Sequence, residues 1–166
     1  YTGEDGFELY TTHENIVEIW NKLIEAGVKP CGLGCRDTLR FEAGLPLYGD
    51  ELSETITPIE AGLGMFCKLD KEFIGRDVLA MQKEEGTAKK LVGIEIEDKA
   101  IPRASYPVET EDGTQVGVVT TGYHSISLDK SICFAMVQTS VSKLGTPLYV
   151  RIRKKVFPGI VVKKRF

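Results

Sequence analysis

Hydrophobic residues in the first half of the chain recur at helical intervals, which predicts α-helices there. Thr11 and Glu14 have the spacing of a capping box, and the apolar residues after them repeat every three or four positions up to about Ala26. Gly27 ends this first predicted helix, and Pro30 prevents its continuation. The recurring apolar positions are Ile16, Val17, Ile19, Trp20, Leu23 and Ile24.

Two more helices and one strand are expected before residue 86. The run from about Gly34 to Ala43 is compatible with a second helix, and Phe73 to Glu85 predicts a third. The decapeptide from Tyr1 to Tyr10 places turn residues before an apolar alternation, which is typical of a turn leading into a strand. The segment 51–70 has no regular pattern, so we expect it to be irregular.

After Gly86 the apolar residues fall in short, β-rich runs separated by turn sequences such as Glu111-Asp112-Gly113-Thr114. These runs predict an antiparallel β-barrel. The change of pattern near residues 86–90 divides the chain into an α+β part, residues 1–88, and a barrel part, residues 89–166. The predicted strands are Leu91 to Glu95, Tyr106 to Glu109, Val116 to Thr120, Ile132 to Gln138, Pro147 to Ile152 and Val156 to Val162.

Length and composition narrow the class of protein without identifying it. The chain has 166 residues, of which 42% are hydrophobic and 27% are charged, as in globular proteins with one domain or two small ones. A net charge of -3 gives no general reason to expect a nucleic acid or a membrane as partner. No apolar run approaches the roughly 18 to 20 residues that span a bilayer. The chain starts at Tyr1 rather than Met and shows no signal-peptide pattern, so we expect a segment excised or processed from a longer protein.

Cysteines and histidines offer few candidates for metal or redox chemistry. No CxxC pair typical of a zinc site occurs, so we expect free thiols in a reducing compartment and no metal. Cys31 and Cys35 are four positions apart and would share a face if both were helical. His13 opens a predicted helix, where a solvated ring is the simplest interpretation, and His124 lies in a predicted loop. The cysteines are Cys31, Cys35, Cys67 and Cys133.

The candidates for function are charged residues embedded in apolar or glycine-rich sequence, because no GxSxG, GxxxxGK, HExxH or GxGxxG motif occurs. Glu8 lies between two apolar residues and faces either solvent or a pocket, where a carboxylate accepts paired N–H bonds from an aminopyrimidine edge. Arg36 begins a helix, where acids are usually favoured. Its guanidinium suits either a ligand carboxylate or a pair with Asp37 or Glu42. Arg40, one turn later, is a competing choice for the same role.

The segment from Lys143 to Phe166 contains basic charged residues and no acidic one. This pattern is compatible with a solvated barrel face or with a docking surface for an acidic partner. The basic positions are Lys143, Arg151, Arg153, Lys154, Lys155, Lys163, Lys164 and Arg165.

Stretches covering nearly the whole chain occur in the order found in one known family. They are YTGEDGFELY at 1–10, PCGLGCRDTLRFEAGLPLYGDEL at 30–52, TPIEAGLG at 57–64 and DKEFIGRDVL at 70–79. The second is the most specific, because its length and its mixture of Gly, Arg, Asp and Glu are improbable by chance. Together they resemble the aminomethyltransferases, the T-proteins of the glycine cleavage system. Family members are much longer, and the chain resembles only their later portion.

The resemblance implies both a fold and a reaction. The fold is partial ferredoxin-like or other α+β lobes followed by a C-terminal antiparallel β-barrel. The reaction transfers a one-carbon unit from the aminomethyl-lipoyl arm of H-protein to tetrahydrofolate, releasing ammonia and forming 5,10-methylenetetrahydrofolate. The family's essential aspartate lies in the N-terminal half, so we expect no catalytic residue in this chain and no activity from it alone. A bacterial parent protein would be cytoplasmic, and a eukaryotic one mitochondrial.

The resemblance also assigns folate-binding roles to three residues of this chain. Glu8, the acid of the GFE triplet, matches a pterin contact, and Arg36, the first arginine of the RDTLR run, matches a folate contact. Tyr1, the tyrosine of the YTG triplet, would line the same cavity. Cys35 departs from the alanine that is usual in the family, and TTGYHSISLDKSI is a loose version of a barrel turn that usually contains Ser-Pro. Neither departure removes a folate contact.

Other interpretations stay open at the level of sequence. The folate-binding C-terminal region of a dimethylglycine or sarcosine dehydrogenase shares the architecture, but its sequence usually differs from the PCGLGCRDTLR motif. Iron–sulfur assembly factors of the same fold carry a KGCYxGQE-type motif, which is absent here. A non-catalytic interaction module would depend on the basic segment at residues 143–166.

Overall fold

The computed structural model describes residues 1–166, in which three α-helices precede a closed antiparallel β-barrel. No helix has the length and apolar character needed to cross a membrane. The helices are α1 (His13–Glu25), α2 (Leu33–Glu42) and α3 (Arg76–Glu85); the strands are β1 (Lys89–Ile96), β2 (Pro107–Glu109), β3 (Gln115–Ser125), β4 (Lys130–Gln138), β5 (Pro147–Ile152) and β6 (Lys155–Val162).

Each barrel strand pairs with two neighbours, in the order β1-β4-β3-β2-β5-β6, and β6 closes the barrel on β1 through pairs such as Gly93 with Val162. Closure gives every strand a neighbour on both sides. The predicted barrel is confirmed, although β3 is longer than predicted and extends to Ser125. Its buried apolar core consists of Val92, Ile94, Ile96, Val108, Val116, Val119, Cys133, Ala135, Val137, Leu148, Val150 and Val161.

Helix α1 begins and ends close to the predicted residues. The Thr12 hydroxyl accepts a hydrogen bond from the Asn15 backbone N–H at 3.4 Å, so the cap lies one residue after the predicted Thr11. Gly27 ends the helix with a φ of 86°, a conformation that glycine adopts without strain. No residue of α1 is buried, and the apolar face that includes Trp20 is exposed.

The strand predicted within the decapeptide at residues 1–10 is wrong. These residues form bends and extended chain without a strand partner. Phe7 is 97% exposed and Tyr10 is 88% exposed. An extended segment becomes a strand only where neighbouring backbone accepts its hydrogen bonds, and residues 1–88 contain no strand that can do so. Local alternation predicted an extended chain but carries no information about that missing partner.

Helix α2 packs through aromatic side chains against the barrel. Phe41 is fully buried, and its ring centroid lies 4.6 Å from that of Phe134 in β4 and 5.7 Å from that of Tyr123 in β3. The Phe166 ring completes the group at 5.2 Å from Phe41. Tilted and edge-on aromatic contacts of this kind add to the stabilisation from buried area. They fix the orientation of α2 and therefore the position of Arg36 in its first turns.

The change from helices to strands falls between α3 and β1. The two parts touch, since the Leu91 N–H donates to the Glu60 carbonyl at 2.9 Å and the Thr139 N–H donates to the Ala88 carbonyl at 3.0 Å. The division into separate domains at residues 1–88 and 89–166 stays a prediction.

Candidate functional site

Arg36 and Tyr1 are brought together at the start of α2. The Arg36 guanidinium carbon lies 4.6 Å from the centroid of the Tyr1 ring, within the range of a cation–π contact. The Tyr1 hydroxyl donates to the Pro46 carbonyl at 2.6 Å, which ties this residue to the loop after α2. Burial raises the pKa of Tyr1, so its hydroxyl stays protonated and keeps that donor role. Arg36 itself is exposed.

The acids that could pair with Arg36 are engaged elsewhere. Asp37 accepts from Arg40 Nε at 2.6 Å and from the Tyr123 hydroxyl. Burial opposes ionisation of Asp37, but these two hydrogen bonds and the positive charges of Arg40 and Arg36 outweigh it and lower its pKa. Glu42 accepts from the Ser125 hydroxyl at 2.5 Å. The alternative in which Arg36 pairs with Asp37 or Glu42 is therefore wrong, and Arg36 forms no ion pair.

Arg40, the competing candidate, is a buried structural residue. Its side chain is fully inaccessible, and its Nη1 donates to Glu51 at 2.8 Å and to the Leu45 carbonyl at 3.2 Å. Its Nη2 donates to the Thr121 hydroxyl at 3.1 Å. Together with the Nε bond to Asp37, these contacts occupy every nitrogen of the guanidinium. No face of Arg40 remains for a ligand.

Glu51 is a buried carboxylate that was not among the candidates selected from the sequence. It accepts from the Thr120 hydroxyl at 2.7 Å, the Thr121 hydroxyl at 2.6 Å and the Leu47 N–H at 2.9 Å, in addition to Arg40. A bulge in β3 between Val119 and Thr121 lets two consecutive threonines reach the same carboxylate. The only signal in the sequence is a pair of threonines inside an apolar strand. Both oxygens of the Glu51 carboxylate are therefore hydrogen-bonded, and these bonds join α2 to the barrel.

Glu8 lies in the extended segment before α1 and is not joined to the other two candidates. Its Oε2 accepts from the Tyr10 hydroxyl at 2.6 Å, and it forms no hydrogen bond or ion pair with Tyr1 or Arg36. The hydrogen bond to Glu8 raises the pKa of Tyr10. The carboxylate is exposed, so it keeps accepting capacity for a ligand.

A groove of about 600 Å³ lies between the loop after α2 and the barrel, and none of Tyr1, Glu8 and Arg36 lines it. It adjoins a hollow of about 150 Å³, and Asp50 and Thr120 line both. Burial and the neighbouring Glu51 raise the pKa of Asp50. Across the hollow, the Arg103 guanidinium carbon lies 5.5 Å from the Tyr123 ring centroid. The concavity joins separate segments, so sequence reasoning had no means of finding it.

The basic segment is divided between structural and exposed side chains. Arg151 forms a two-bond pair with Glu109, at 2.6 and 2.7 Å. Lys164 donates to the Ala61 carbonyl at 2.6 Å, and burial lowers its pKa. At the β5–β6 turn three consecutive residues, Arg153, Lys154 and Lys155, are exposed and form no ion pair. This turn, here called the basic tip, is the most concentrated exposed positive charge of the segment.

The two histidines occupy ordinary positions. His13 is exposed in the first turn of α1. His124 lies in β3 rather than in the predicted loop, with Nδ1 3.2 Å from the Ser131 hydroxyl and Nε2 3.0 Å from Asp129. These contacts link the two strands of the β3–β4 hairpin. Ser131 is almost fully buried, which leaves its hydroxyl inaccessible to a substrate.

The chain matches two protein-family models, the GCVT N-terminal domain over residues 1–71 and the Glycine cleavage T-protein C-terminal barrel domain over residues 89–166. It is 52% identical to an aminomethyltransferase of Alkaliphilus oremlandii and 54% identical to one of Geobacillus sp.. Both alignments cover 100% of this chain, but only 46% and 47% of those relatives. The crystal structure of glycine cleavage system aminomethyltransferase T from Bartonella henselae matches with a TM-score of 0.85 at 28% identity, over 100% of this chain and 49% of that chain. The chain thus spans about half the length of the curated relatives it matches.

Proposed function

Because this chain belongs to the glycine cleavage T-protein family, we propose that it forms the folate-contacting half of an aminomethyltransferase. The intact protein would transfer the one-carbon unit from the aminomethyl-lipoyl arm of H-protein to tetrahydrofolate. Ammonia and 5,10-methylenetetrahydrofolate are the products. The relatives are bacterial, which supports a cytoplasmic location as in a bacterial cell; a eukaryotic parent protein would be mitochondrial.

The observation that carries this proposal is the unpaired guanidinium of Arg36. Asp37 and Glu42 are engaged with other residues, so the donors of Arg36 remain available. Tetrahydrofolate carries carboxylates on its glutamate tail, and a planar guanidinium binds a carboxylate through two parallel hydrogen bonds. The Tyr1 ring supports one face of the guanidinium and so limits its orientations. We assign Arg36 to the folate tail and Tyr1 to the adjoining wall.

Glu8 fits the other end of the same ligand. The aminopyrimidine edge of a pterin presents two N–H donors side by side, which complements the two oxygens of a carboxylate. Glu8 is exposed and has one hydrogen-bond partner, the Tyr10 hydroxyl. We therefore assign the pterin contact to Glu8.

We propose that this chain is inactive by itself. Its proposed ligand residues lie on an exposed surface rather than in an enclosed pocket, and Glu8 makes no contact with the Arg36–Tyr1 pair. A ligand site that buries most of a folate needs further walls. No residue of this chain is assigned to the chemical step, which we attribute to an aspartate in the remaining half of the intact protein.

The basic tip is the candidate docking surface for H-protein. Three adjacent cations without ion-pair partners attract an acidic surface and accelerate its encounter. This assignment concerns the partner only and leaves the folate residues unaffected.

Ammonia release by the intact protein, supplied with aminomethyl-lipoyl H-protein and tetrahydrofolate, tests the function. We expect turnover by the intact protein and none by this chain. In the intact protein Arg36→Met should raise KM for tetrahydrofolate about tenfold or more, since hydrogen bonds to charged groups contribute about 1.5–3 kcal/mol. Lys22→Met, an exposed position on α1, is the matched control. An intact protein that releases no ammonia would refute the function, whereas an unchanged KM would refute only the role of Arg36.

A further inference from the structure

The hollow beside the groove brings two side chains of opposite charge to one space. It has a volume of about 150 Å³, and both Asp50 and Arg103 line it. Asp50 also lines the groove of about 600 Å³, so the two concavities adjoin at this residue. Tyr1, Glu8 and Arg36 line neither of them, and the folate contacts proposed above therefore leave this space without a role.

Arg103 is a cation without an ionic partner, on a loop that is fixed to the barrel. Its guanidinium carbon lies 5.5 Å from the Tyr123 ring centroid, and it forms no ion pair. The Ser105 N–H donates to the Val119 carbonyl at 2.8 Å, and the Val119 N–H donates to the Tyr106 carbonyl at 2.9 Å. These bonds hold the loop directly after Arg103 against β3. The planar guanidinium thus offers paired N–H donors to a carboxylate from a supported position.

Asp50 supplies the negative charge of the hollow. Its carboxylate lies 3.5 Å from Arg40 Nη2, which is its only ion pair, and its side chain is 41% exposed. Arg40 is fully buried, and its hydrogen bonds go to Asp37, to the buried Glu51 and to two further oxygens. Asp50 therefore keeps accepting capacity for an N–H donor that enters the hollow.

The groove that continues from Asp50 has an apolar wall. Ile56 from the loop after α2, Val118 from β3 and Met136 from β4 line it. Two further charged residues, Glu60 and Lys89, line the groove with opposite charges. Together with Asp50 and Arg103 they give two positive and two negative groups, so the space as a whole favours neither a cation nor an anion. A neutral molecule with internal charge separation and an apolar part is the ligand that matches it.

We propose that the hollow and the groove bind an α-amino acid with an apolar side chain. The ligand carboxylate pairs with Arg103 and its ammonium group with Asp50. Both charges of an α-amino acid are attached to one carbon atom, which requires two partner residues on the same hollow, as these are. The ligand side chain then lies along the apolar wall of the groove. This inference does not depend on the activity of the intact protein.

Titration of the 166-residue chain with L-leucine, followed by NMR of the backbone amides, tests the proposal. We expect saturable shifts at Ala104 and Gly122, which line the hollow. Leucinamide lacks the carboxylate and isocaproate lacks the ammonium group. Each should bind about tenfold more weakly than leucine or worse, since each loses a hydrogen bond between charged groups. These two ligands test both contacts in the unaltered protein.

Variants assign each contact to its residue. Arg103→Met should weaken leucine binding about tenfold or more and leave the affinity for leucinamide unchanged. Asp50→Asn should likewise weaken leucine binding and leave the affinity for isocaproate unchanged, with circular dichroism verifying the fold of each variant. Arg153→Met, at an exposed arginine of the basic tip, is the control and should bind leucine as wild type does.

Three results would overturn the proposal. The first is the absence of saturable shifts in wild type up to the solubility limit of leucine. The second is equal affinity of wild type for leucine, leucinamide and isocaproate. The third is leucine binding by Arg103→Met that equals binding by Arg153→Met.

Discussion

Arg36 and Arg40 are one helical turn apart, yet Arg36 is exposed and Arg40 is fully buried. Arg40 donates hydrogen bonds to Asp37, Glu51 and Thr121. Arg36 is exposed, and its guanidinium lies over the Tyr1 ring. The sequence allowed either arginine to be the ligand residue. The decisive partners of Arg40 lie 11 and 81 positions away along the chain, so no local pattern reveals them. The chemistry of the guanidinium made both arginines candidates, and only their tertiary contacts show which of them has free donors.

Replacing Arg40 should destabilise the chain strongly. Arg40→Met leaves the buried Glu51 carboxylate without its cation, a loss of about 3–5 kcal/mol for a broken buried pair. The free energy of unfolding from urea titration measures this. Arg36→Met is the control and should leave it nearly unchanged. The double variant Arg40→Met with Glu51→Gln should recover part of the lost stability. If it is as unstable as Arg40→Met alone, the unpaired charge of Glu51 is not the cause of the loss.

Stability should decline in acid through Asp37 and Glu42. Hydrogen bonds outweigh burial and hold the pKa of both carboxyls below the ordinary values near 4. Their stabilisation is therefore present above about pH 4 and is lost as the pH falls through the lower, folded-state pKa values. Asp50, with a raised pKa, acts in the opposite direction, so variants must be compared with wild type at each pH.

The midpoint of urea-induced unfolding, measured at a series of pH values from neutral into the acid range, tests this effect. Asp37→Asn should flatten the decline, and Glu18→Gln, at an exposed residue of α1, should not. An acid limb in Asp37→Asn as steep as that of wild type would show that Asp37 contributes nothing to it.

At the scale of elements, local pattern predicted the barrel well and the N-terminal segment poorly. The six strands alternate or carry β-branched residues, and each finds its partners within residues 89–166. The decapeptide at residues 1–10 has a similar alternation but no partner strand, so it remains irregular. The β3 bulge and the groove beside it also depend on contacts between distant segments. Periodicity predicts an element, but pairing decides whether it forms.

Helix α1 should unfold before the barrel. It has 13 residues, none of them buried, and isolated helices of about 12–15 residues are marginal in water. Trp20, the single tryptophan, is 53% exposed and reports on α1 alone. We expect its fluorescence to change at lower urea concentration than the β-sheet circular dichroism signal. Phe41→Leu should lower the second transition without moving the first, and coincident transitions in wild type would show that α1 is packed.

At the scale of the whole molecule, exposed apolar surface and charge are unevenly distributed. Large exposed hydrophobic residues concentrate before residue 86, whereas the barrel presents mainly polar side chains and the basic tip. A surface of this kind marks a contact region. The helical half is therefore suited to packing against further protein, and the barrel to meeting a charged partner.

Charge reversal at the basic tip should weaken binding of H-protein to the intact protein. Lys154→Glu with Lys155→Glu replaces attraction by repulsion, which lowers the association rate and reduces its dependence on salt. Surface plasmon resonance at several ionic strengths measures both. Lys89→Glu with Lys90→Glu, also exposed, is the matched control. Equal association rates for the two double variants would contradict docking at the tip.

Closure of the barrel by β1 and β6 has a consequence for biosynthesis. β1 is synthesised before the other five barrel strands, but the residue that pairs with Gly93 is Val162 in β6, the last of the six in chain order. Until β6 emerges, one side of β1 exposes backbone donors and acceptors that recruit any extended chain nearby. The nascent protein therefore passes through a period of vulnerability to aggregation that the finished barrel no longer shows. Slower translation of residues 97–154 would lengthen that period, and synonymous codons there should affect the yield of folded protein.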